Sequence, residues 1–427
     1  MKLFHISDLH LGKTIYGKNM LEDQKDWVEK FLQKCEEEKP QAVLIAGDVY
    51  DSKIPKEDAT RLLDYLLTKL SDLGIAVFLI AGNHDNGTRL SFVSDLLAKQ
   101  KVFISGEVEK ELKHYTLEDN IGPVNFWLVP YLYPEIVQDL LENEDIKTYE
   151  DAMRALLNAQ EINYNERNVI IAHQFINKAG EPDHRGGSET TVAGIGAVDY
   201  QVFDGIEYVA LGHIHSTYHV GRGGIRYAGT PLCYHFDEAK LEKAGETGNI
   251  SEPKSKGIQE IIINKKGEEI EHRDIPITPL HRMRHITGTK EEVYAFLSED
   301  KGRNEYVGIA VTDQKLSFDE EDYLRGLLEN RGSMFVNVSP HIQTSETGKD
   351  TTDTSKPNDI PLDTLFLDFY KERKGGMNPK EDEYKLIQFL AELVGRQDLE
   401  NDLDKDQKEE AAEEIIRKIN RIGGGEQ

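Results

Sequence analysis

Residues 42–51 read AVLIAGDVYD, and this stretch decides the fold. Its first five residues are an unbroken apolar run, as expected of a strand that is covered on both faces of a sheet. Polar residues follow directly, beginning with Gly47 and Asp48. The same arrangement occurs on either side along the chain, in LFHISDLH at residues 3–10 and in IAVFLIAGNHD at residues 75–85. The sequence therefore predicts three buried strands that each end in a cluster of polar side chains.

Two amphipathic segments separate these strands. Residues 20–38 carry apolar side chains at helical spacing, and a second helix opens after Pro55 and closes before Gly74. A β-α-β-α-β order predicts an α/β fold with parallel strands and right-handed crossovers. Further strands are predicted at residues 125–130, 168–172, 208–211, 225–228 and 258–263.

Length and composition restrict the class of protein. The 427 residues exceed the roughly 250–300 at which a single core stops growing, so we expect one large domain with smaller attachments. No window approaches the roughly 18 consecutive apolar residues of a membrane span, which excludes an integral membrane protein. The start MKLFHISDLH is typical of a strand rather than a signal peptide. The two cysteines, Cys35 and Cys233, can form neither a disulfide framework nor a structural zinc cage, so the expected location is the cytoplasm.

The chain is strongly acidic, with 51 Lys and Arg residues against 78 Asp and Glu residues and a formal net charge of −27. Contacts to nucleic-acid phosphates need Lys and Arg, so this charge argues against a free-standing protein that grips nucleic acid through a basic surface. It does not argue against an enzyme that meets phosphates through metal ions. If DNA is the substrate, we expect another molecule to supply most of the affinity.

Changes in residue composition and hydrophobic pattern divide the chain into five segments. Residues 1–275 are predicted to form the main domain and residues 276–342 a small α+β unit. Residues 343–360 have almost no apolar side chains and are predicted to be a flexible linker. Two amphipathic helices are predicted at residues 361–395, followed by an acidic tail with a further helical pattern at residues 396–427. A helical pair after a tether either packs back on its own domain or docks on a partner protein, and the linker favours docking.

Five polar clusters follow predicted strands, and sites in open α/β sheets assemble at the carboxyl ends of strands. The candidate ligands are two aspartates, one asparagine and four histidines: Asp8, His10, Asp48, Asn83, His173, His213 and His215. This set is too large for one open catalytic ion but suffices for two ions that share a bridging carboxylate. The lack of thiolates disfavours structural zinc and fits Mn²⁺, Fe²⁺ or Zn²⁺. Each cluster alone could be a turn or the polar end of a strand, but the conjunction of five predicts a two-metal site.

The motifs D-x-H, GDVYD, GNHD, the histidine of AHQ and GHIH resemble those of the calcineurin-like metallophosphoesterase superfamily. A closer resemblance, to the nuclease subunits of double-strand-break repair complexes, is carried by HISDLHLGKT, GDVYDSKIP, GNHDNGTRLSF, AHQFINKAG, VALGHIHS and YAGTPLCYHFDEA. It covers residues 1–290 and, more loosely, the small unit and LFLDFYKERKG in the predicted helical pair. The sequence departs from the pattern at Asn86, where serine is more usual, and the metal set is undisturbed.

The resemblance implies a metallophosphoesterase β-sandwich flanked by helices, with a capping domain at residues 276–342 and C-terminal helices. It also implies two divalent cations, for which Mn²⁺ is expected and Mg²⁺, Fe²⁺ or Zn²⁺ are alternatives. Asp48 would bridge the two ions. The remaining ligands would divide into two sets, Asp8, His10 and His215 for one ion and Asn83, His173 and His213 for the other.

By the same resemblance, His84 is catalytic rather than a ligand: it would face the substrate and stabilise or protonate the leaving oxygen, while Asp51 holds its ring. Local chemistry supports this pairing, because Asp51 lies in the same loop as Asp48 and a carboxylate beside an imidazole raises its pKa and fixes its tautomer. Substrate contacts are predicted for four further residues, with solvated surface as the alternative: Lys13, Arg89, His184 and Arg185.

The implied function is that of a two-metal DNA nuclease subunit in DNA repair, recombination and replication. It includes 3′-to-5′ exonuclease activity on duplex ends and endonuclease activity on single strands or hairpins. A coiled-coil ATPase bound through residues 361–395 would control it, in a heterotetramer that contains a nuclease homodimer and associates with the nucleoid when on DNA. The alternatives are a small-substrate metallophosphoesterase acting on cyclic nucleotides or phosphoproteins, and a non-catalytic scaffold with a vestigial site.

Overall fold

The computed structural model describes residues 1–178, 196–244 and 256–338. Within these ranges the strands are, in chain order, β1 (Lys2–Ile6), β2 (Thr14–Ile15), β3 (Lys18–Asn19), β4 (Ala42–Ala46), β5 (Ala76–Ile80), β6 (Val102–Ser105), β7 (His114–Asp119), β8 (Gly122–Val129), β9 (Arg167–His173), β10 (Ile176–Asn177), β11 (Val198–Asp199), β12 (Tyr208–Gly212), β13 (Tyr218–His219), β14 (Ile225–Tyr227), β15 (Lys240–Lys243), β16 (Gly257–Ile262), β17 (Glu271–Pro276), β18 (Arg282–Gly288), β19 (Glu305–Val311) and β20 (Met334–Asn337). The α-helices of the same ranges are α1 (Leu21–Glu38), α2 (Glu57–Asp72), α3 (Gly87–Leu90), α4 (Ser94–Ala98), α5 (Pro134–Leu141), α6 (Tyr149–Asn158), α7 (Lys290–Glu299) and α8 (Phe318–Glu329). None of these helices has the length and apolar character needed to cross a membrane.

The first sheet has the strand order β17-β16-β1-β4-β5-β6. Strands β1, β4, β5 and β6 are parallel neighbours, which confirms the parallel order predicted from the apolar runs. Strand β16 pairs with β1 and with β17 in antiparallel fashion. Helices α1 and α2 cover the outer face of this sheet, where Trp27, Phe31 and Leu66 are buried.

The second sheet has the strand order β13-β14-β12-β9-β8-β7. Its four central strands are parallel, and the two edge strands are antiparallel to their neighbours. Helices α5 and α6 bury Val137, Met153 and Leu156 against the outer face. The two sheets face each other across a core in which Phe78 of β5 stacks on Phe126 of β8, with ring centroids 4.1 Å apart. The predicted β-sandwich flanked by helices is confirmed.

The third sheet, β15-β18-β19-β20, is parallel throughout. Helix α7 follows β18 and α8 follows β19, so strand and helix alternate along the chain. The prediction of an α+β unit is wrong in this respect, because alternating parallel strands and crossover helices are the α/β pattern. The helices bury Val293 and Leu324 with Ile286 and Ile309 of the sheet in a separate core.

One strand of this third sheet comes from the segment assigned to the main domain. Strand β15 pairs with β18, although it precedes residue 275 in the chain. The domain boundaries therefore remain predictions. The linker, the C-terminal helical pair and the acidic tail lie outside the described residues.

Candidate metal centre

The seven predicted ligands lie at the carboxyl ends of strands from both sheets. Those that follow strands of the first sheet are Asp8, His10, Asp48 and Asn83, and those at the ends of β9 and β12 in the second sheet are His173, His213 and His215. The parallel register of β9 and β12 places Gly212 opposite His173, so the two histidine-bearing ends are neighbours. The fold thus brings all seven residues to one edge of the sandwich.

Four of the predicted ligands have backbone conformations that residues other than glycine rarely adopt. The φ angle is 51° at Asp8, 43° at His10, 46° at Asp48 and 97° at His213. Such conformations cost free energy and persist only where the surrounding structure holds them. Hydrogen bonds between the loops do so here: Asp8 N donates to Gly47 O at 3.0 Å, and His10 N donates to Asp48 O at 2.9 Å. Of the ten non-glycine residues with positive φ in the described part of the chain, four belong to this one cluster of seven convergent side chains, which indicates a functional site.

The carboxylate of Asp48 lies at the centre of the cluster and is buried. Its Oδ2 atom is 3.5 Å from His173 Nε2, 3.7 Å from His10 Nε2 and 4.0 Å from His84 Nε2. A Cβ atom at Gly82 would collide with this carboxylate, so glycine is required where the loop after β5 passes Asp48. The Asp48 carboxylate therefore lies between His10 and His173, where it is positioned to bind a cation on either side.

One ligand set is formed by Asp8, His10 and His215, which offer ligand atoms within 4.8 Å of one another. All three residues are buried. Within the described residues, neither ring nitrogen of His10 has a hydrogen-bond partner. A buried polar group without a partner is costly, and a cation between these three side chains would satisfy one of the two ring nitrogens.

The other set is centred on Asn83, whose Oδ1 atom is 3.2 Å from His173 Nε2 and 3.1 Å from His213 Nδ1. His173 Nδ1 lies 2.8 Å from the Ala46 carbonyl oxygen. Because that carbonyl can only accept, Nδ1 carries a hydrogen, and Nε2 is the atom that a neutral ring turns toward Asn83 and Asp48. The amide oxygen and the two imidazoles therefore converge on one point.

The two sets fit a pair of divalent cations. Their donors are carboxylate and amide oxygens and imidazole nitrogens, the ligands that Mn²⁺, Fe²⁺ and Zn²⁺ share. Asp8, Asp48 and His173 also lie within 4.8 Å of one another, so the sets adjoin at Asp48. These donors indicate divalent-cation binding; the division of the ligands between two ions and the identity of the metal remain predictions.

Asp48 also controls the protonation of the imidazoles around it. Burial would raise the pKa of Asp48, but the His173 and His10 rings hold it well below its usual range. Burial acts to lower the pKa of His173, yet the Asp48 carboxylate raises it to about 9. Burial, together with the nearby His173, lowers the pKa of His213 to about 3. A proton and a cation therefore compete for His173 at neutral pH.

His84 lies at the rim of the cluster, with 44% of its side chain exposed. Its backbone N–H donates to Asp48 Oδ1 at 2.9 Å, and its Nδ1 atom is 3.2 Å from the main-chain carbonyl oxygen of Asp51. Asp51 thus contacts the ring through its main-chain carbonyl oxygen and not through the carboxylate on which the prediction relied. The carboxylate is held elsewhere because Lys13 Nζ donates to it at 2.7 Å and His10 Nδ1 lies 3.5 Å from it.

Two of the four predicted substrate contacts lie within the described residues. Lys13 Nζ pairs with Asp51 and lies 5.6 Å from the centre of the Tyr234 ring. Arg89 is exposed on α3. The other two residues, His184 and Arg185, lie outside the described residues. All four contacts to substrate remain predictions.

Asp85 joins two of the ligand loops, a role that the sequence analysis missed. Its carboxylate accepts hydrogen bonds from the backbone N–H groups of Val49 at 3.0 Å, Tyr50 at 2.9 Å and Gly82 at 2.9 Å. The loop after β4 is thereby tied to the loop after β5. Burial and the nearby charge of Asp48 raise the pKa of Asp85 to about 6.

Gln24 of α1 supports the loop that carries Asp8 and His10. Its Nε2 atom donates to the carbonyl oxygens of Leu9 at 3.2 Å and His10 at 2.8 Å, and its Oε1 atom accepts from Gly12 N at 2.9 Å. The side chain is buried. The available signal was a polar residue on the apolar face of the helix predicted at residues 20–38.

Glu238 and Lys256 lie behind His215 and were also missed. Glu238 Oε1 is 2.9 Å from His215 Nδ1, and Lys256 Nζ donates to Glu238 Oε2 at 2.8 Å. Burial would raise the pKa of Glu238, but Lys256 and His215 hold it well below its usual range. The partners are 18 and 23 residues apart in the chain, so local spacing gave no signal.

Comparisons with known proteins agree with this geometry. A profile of the calcineurin-like phosphoesterase family matches residues 1–217, a span that includes every predicted ligand. SbcD of the nuclease SbcCD from Staphylococcus epidermidis is 29% identical over 318 residues, which are 73% of this chain and 79% of the relative. Among solved structures, a dimetal phosphatase from Danio rerio is 14% identical, with 64% of this chain and 98% of that chain covered and a TM-score of 0.33. That TM-score is too low to support an inference about this chain.

Proposed function

The chain belongs to the calcineurin-like phosphoesterase family, and from this premise we propose that it is the nuclease subunit of an SbcCD-type complex that hydrolyses DNA phosphodiesters. The observation that carries the proposal is the position of the buried Asp48 carboxylate, whose Oδ2 atom lies 3.7 Å from His10 Nε2 and 3.5 Å from His173 Nε2, with the exposed imidazole of His84 beside it. Similarity to a nuclease subunit over most of the chain favours DNA over a small phosphoester as the substrate.

In the proposed mechanism, the chain supplies the metal ligands, a carboxylate (Asp48) that would bridge the two cations, and a general acid (His84). Two divalent cations held by the two sets would lower the pKa of coordinated water and neutralise phosphate oxygens. His84 donates the proton that the leaving oxygen needs. Because the Asp51 carbonyl can only accept, Nδ1 keeps its hydrogen and Nε2 is the atom that exchanges a proton with the substrate. General acid catalysis of this kind contributes about 10²–10⁴-fold to the rate.

The proposal extends to the assembly and to its activities. The activities are 3′-to-5′ exonuclease cleavage of duplex ends and endonuclease cleavage of single strands and hairpins, in cytoplasmic DNA repair. An SbcC-type coiled-coil ATPase binds the segment at residues 361–395, which is predicted from its sequence to be helical, and controls access of DNA, which the domain at residues 276–342 helps to present. The net charge of −27 supports this division of labour, because a strongly acidic chain needs another surface to hold DNA.

A homodimer is the further part of the proposed assembly. Phe92, Val93 and Leu96, in and beside α4, have exposed fractions of 76%, 46% and 62%. Adjoining exposed apolar side chains of this kind mark interaction surfaces. In a symmetric dimer, this surface of one copy would be buried against the same surface of the other copy.

Assays on matched variants test the proposed activity. The purified chain is incubated with Mn²⁺ and hairpin DNA, end-labelled duplex DNA or bis-p-nitrophenyl phosphate, with and without the ATPase. We expect His84→Ala to retain both cations and to lose about 10²–10⁴-fold in DNA cleavage, whereas Asp48→Asn loses cations. His219→Ala, at an exposed histidine of β13, is the matched control.

Two outcomes would contradict the proposal. Loss of bound Mn²⁺ from His84→Ala would remove the assignment of His84 as an acid. Cleavage of bis-p-nitrophenyl phosphate without cleavage of any DNA, even in the presence of the ATPase, would support the small-substrate phosphoesterase instead.

A further inference from the structure

A buried ionic network lies behind His215, on the side away from the ligand cluster. Glu238 Oε1 is 2.9 Å from His215 Nδ1, and Thr230 Oγ1 donates to Glu238 Oε2 at 3.1 Å. Lys256 Nζ donates to Glu238 Oε2 and to the main-chain oxygen of His215, each at 2.8 Å. The side chain of Glu238 is 4% exposed and that of Lys256 is 12% exposed. The network therefore fixes both the ring and the main chain of His215.

The contact with Glu238 selects one form of the His215 ring. A carboxylate can only accept a hydrogen bond, so His215 Nδ1 carries the hydrogen. Nε2 is then the ring atom that can bind a cation together with Asp8 and His10. A ligating histidine backed by a carboxylate in this way is held in one orientation and is a more basic ligand.

The other ligand set has no equivalent support among the described residues. His173 Nδ1 is paired with the neutral carbonyl oxygen of Ala46 at 2.8 Å. A neutral carbonyl orients an imidazole but strengthens it less as a ligand than a carboxylate does. The two sets therefore differ in the charge placed behind their histidines, although both share Asp48.

We infer that Glu238 is a positioning residue that makes the Asp8, His10 and His215 set the tighter of the two cation sites, and that Lys256 holds Glu238 in place. This inference rests on the proposed two-cation function and adds to it a residue and an order of loading. The cation that binds first would occupy the set backed by Glu238. The second would enter the set of Asn83, His173 and His213.

Titration with Mn²⁺ measures this inequality directly. The full-length chain is freed of metal, and bound Mn²⁺ is followed by electron paramagnetic resonance of the free ion and by calorimetry. We expect the unmodified chain to bind two ions in two steps of unequal affinity. Removing the carboxylate behind a ligating histidine costs about 10–100-fold in metal affinity, so Glu238→Gln should weaken the tighter step by that factor and spare the other.

Three further variants distinguish an effect on one cation site from a general loss of structure. Asn83→Ala should weaken only the weaker step, because it removes a ligand from the other set. Thr230→Val preserves side-chain shape, removes one hydrogen bond to Glu238, and should weaken the tighter step by a smaller factor, so it serves if Glu238→Gln does not fold. Glu207→Gln is the control, because Glu207 is also buried and paired with a lysine, Lys266, but lies away from the ligands.

The possible results separate this inference from the proposed function. Two unequal steps, with only the tighter one weakened by Glu238→Gln, would support the inference. Two steps that are both unchanged in Glu238→Gln, or both weakened equally as in a loosened fold, would overturn it and leave the proposed function intact. An unmodified chain that binds no Mn²⁺, or only one ion, would overturn both.

Discussion

Replacing Gln24 by methionine is expected to reduce the stability of the chain and its affinity for cations together. Methionine fills a similar volume but cannot replace the hydrogen bonds of Gln24 to the Leu9 and His10 carbonyls and to the Gly12 N–H. After the change, Tyr234 OH still donates to Leu9 O and Lys13 N still donates to His10 O, so the Gly12 N–H is the group left without a partner. Two net hydrogen bonds at about 1 kcal/mol each and one unpaired, partly buried donor at about 1–3 kcal/mol give an expected loss of about 3–5 kcal/mol in the free energy of unfolding.

Cation affinity should fall for a related reason. Asp8 and His10 lie in the same loop with φ angles of 51° and 43°, and Gln24 is one of the groups that holds this loop in place. Urea denaturation followed by tryptophan fluorescence measures the stability, and Mn²⁺ titration measures the affinity. Gln33→Met is the matched control, because Gln33 is an exposed glutamine on the same helix and its replacement should change the free energy by less than about 0.5 kcal/mol. Equal unfolding midpoints and equal Mn²⁺ affinities in the two variants would refute the reasoning.

Three further predictions concern the site, the dimer and the partner. Because the pKa of His173 is raised to about 9, its ring binds a proton at pH 7 that a cation must displace; Mn²⁺ affinity should rise between pH 7 and 9, and calorimetry in buffers of different ionisation enthalpy should detect proton release. A pH-independent affinity would contradict this. Phe92→Asp with Leu96→Asp should convert a dimer to a monomer in light scattering without lowering the unfolding midpoint, while Phe318→Asp, at an 83% exposed phenylalanine, should leave the dimer intact. Deletion of residues 360–427 should abolish co-purification with the ATPase but spare Mn²⁺-dependent cleavage of bis-p-nitrophenyl phosphate; a retained complex would place the anchor elsewhere.

The features that the sequence predicted correctly depend on residues that are neighbours in the chain. A run such as Ala42–Ala46 is apolar because both faces of the strand are covered, and the polar residue Asp48 follows at the point where the strand leaves the core. Strand and ligand therefore appear together in one short stretch. Parallel pairing then brings such stretches to the same edge of the sandwich, which is why five separate clusters could be assigned to one site.

The features that the sequence could not predict depend on partners far apart in the chain. The carboxylate of Asp51 was expected on His84, but Lys13, 38 residues earlier, holds it. Gln24 and Glu238 contact the ligand loops through buried side chains. The position of Gln24 on the apolar face of its helix marks it as unusual but does not identify its partners, and no local spacing connects Glu238 with His215. Strand β15 pairs with β18 at positions that are 44 residues apart in the chain, and the local sequence pattern gave no sign of this pairing.

The charge of a loaded site would explain how so acidic a chain acts on DNA, its proposed substrate. The ligands Asp8 and Asp48 contribute two negative charges, and two divalent cations contribute four positive ones, so the occupied cluster has a formal charge of about +2. The Debye length at physiological ionic strength is about 8 Å, so a phosphate within the cluster responds mainly to this local charge and little to the distant carboxylates behind the net charge of −27. A short phosphodiester therefore needs only the cluster, whereas a long duplex must also cross acidic surface. The ATPase partner should accordingly lower the KM for DNA much more than the KM for a small phosphodiester.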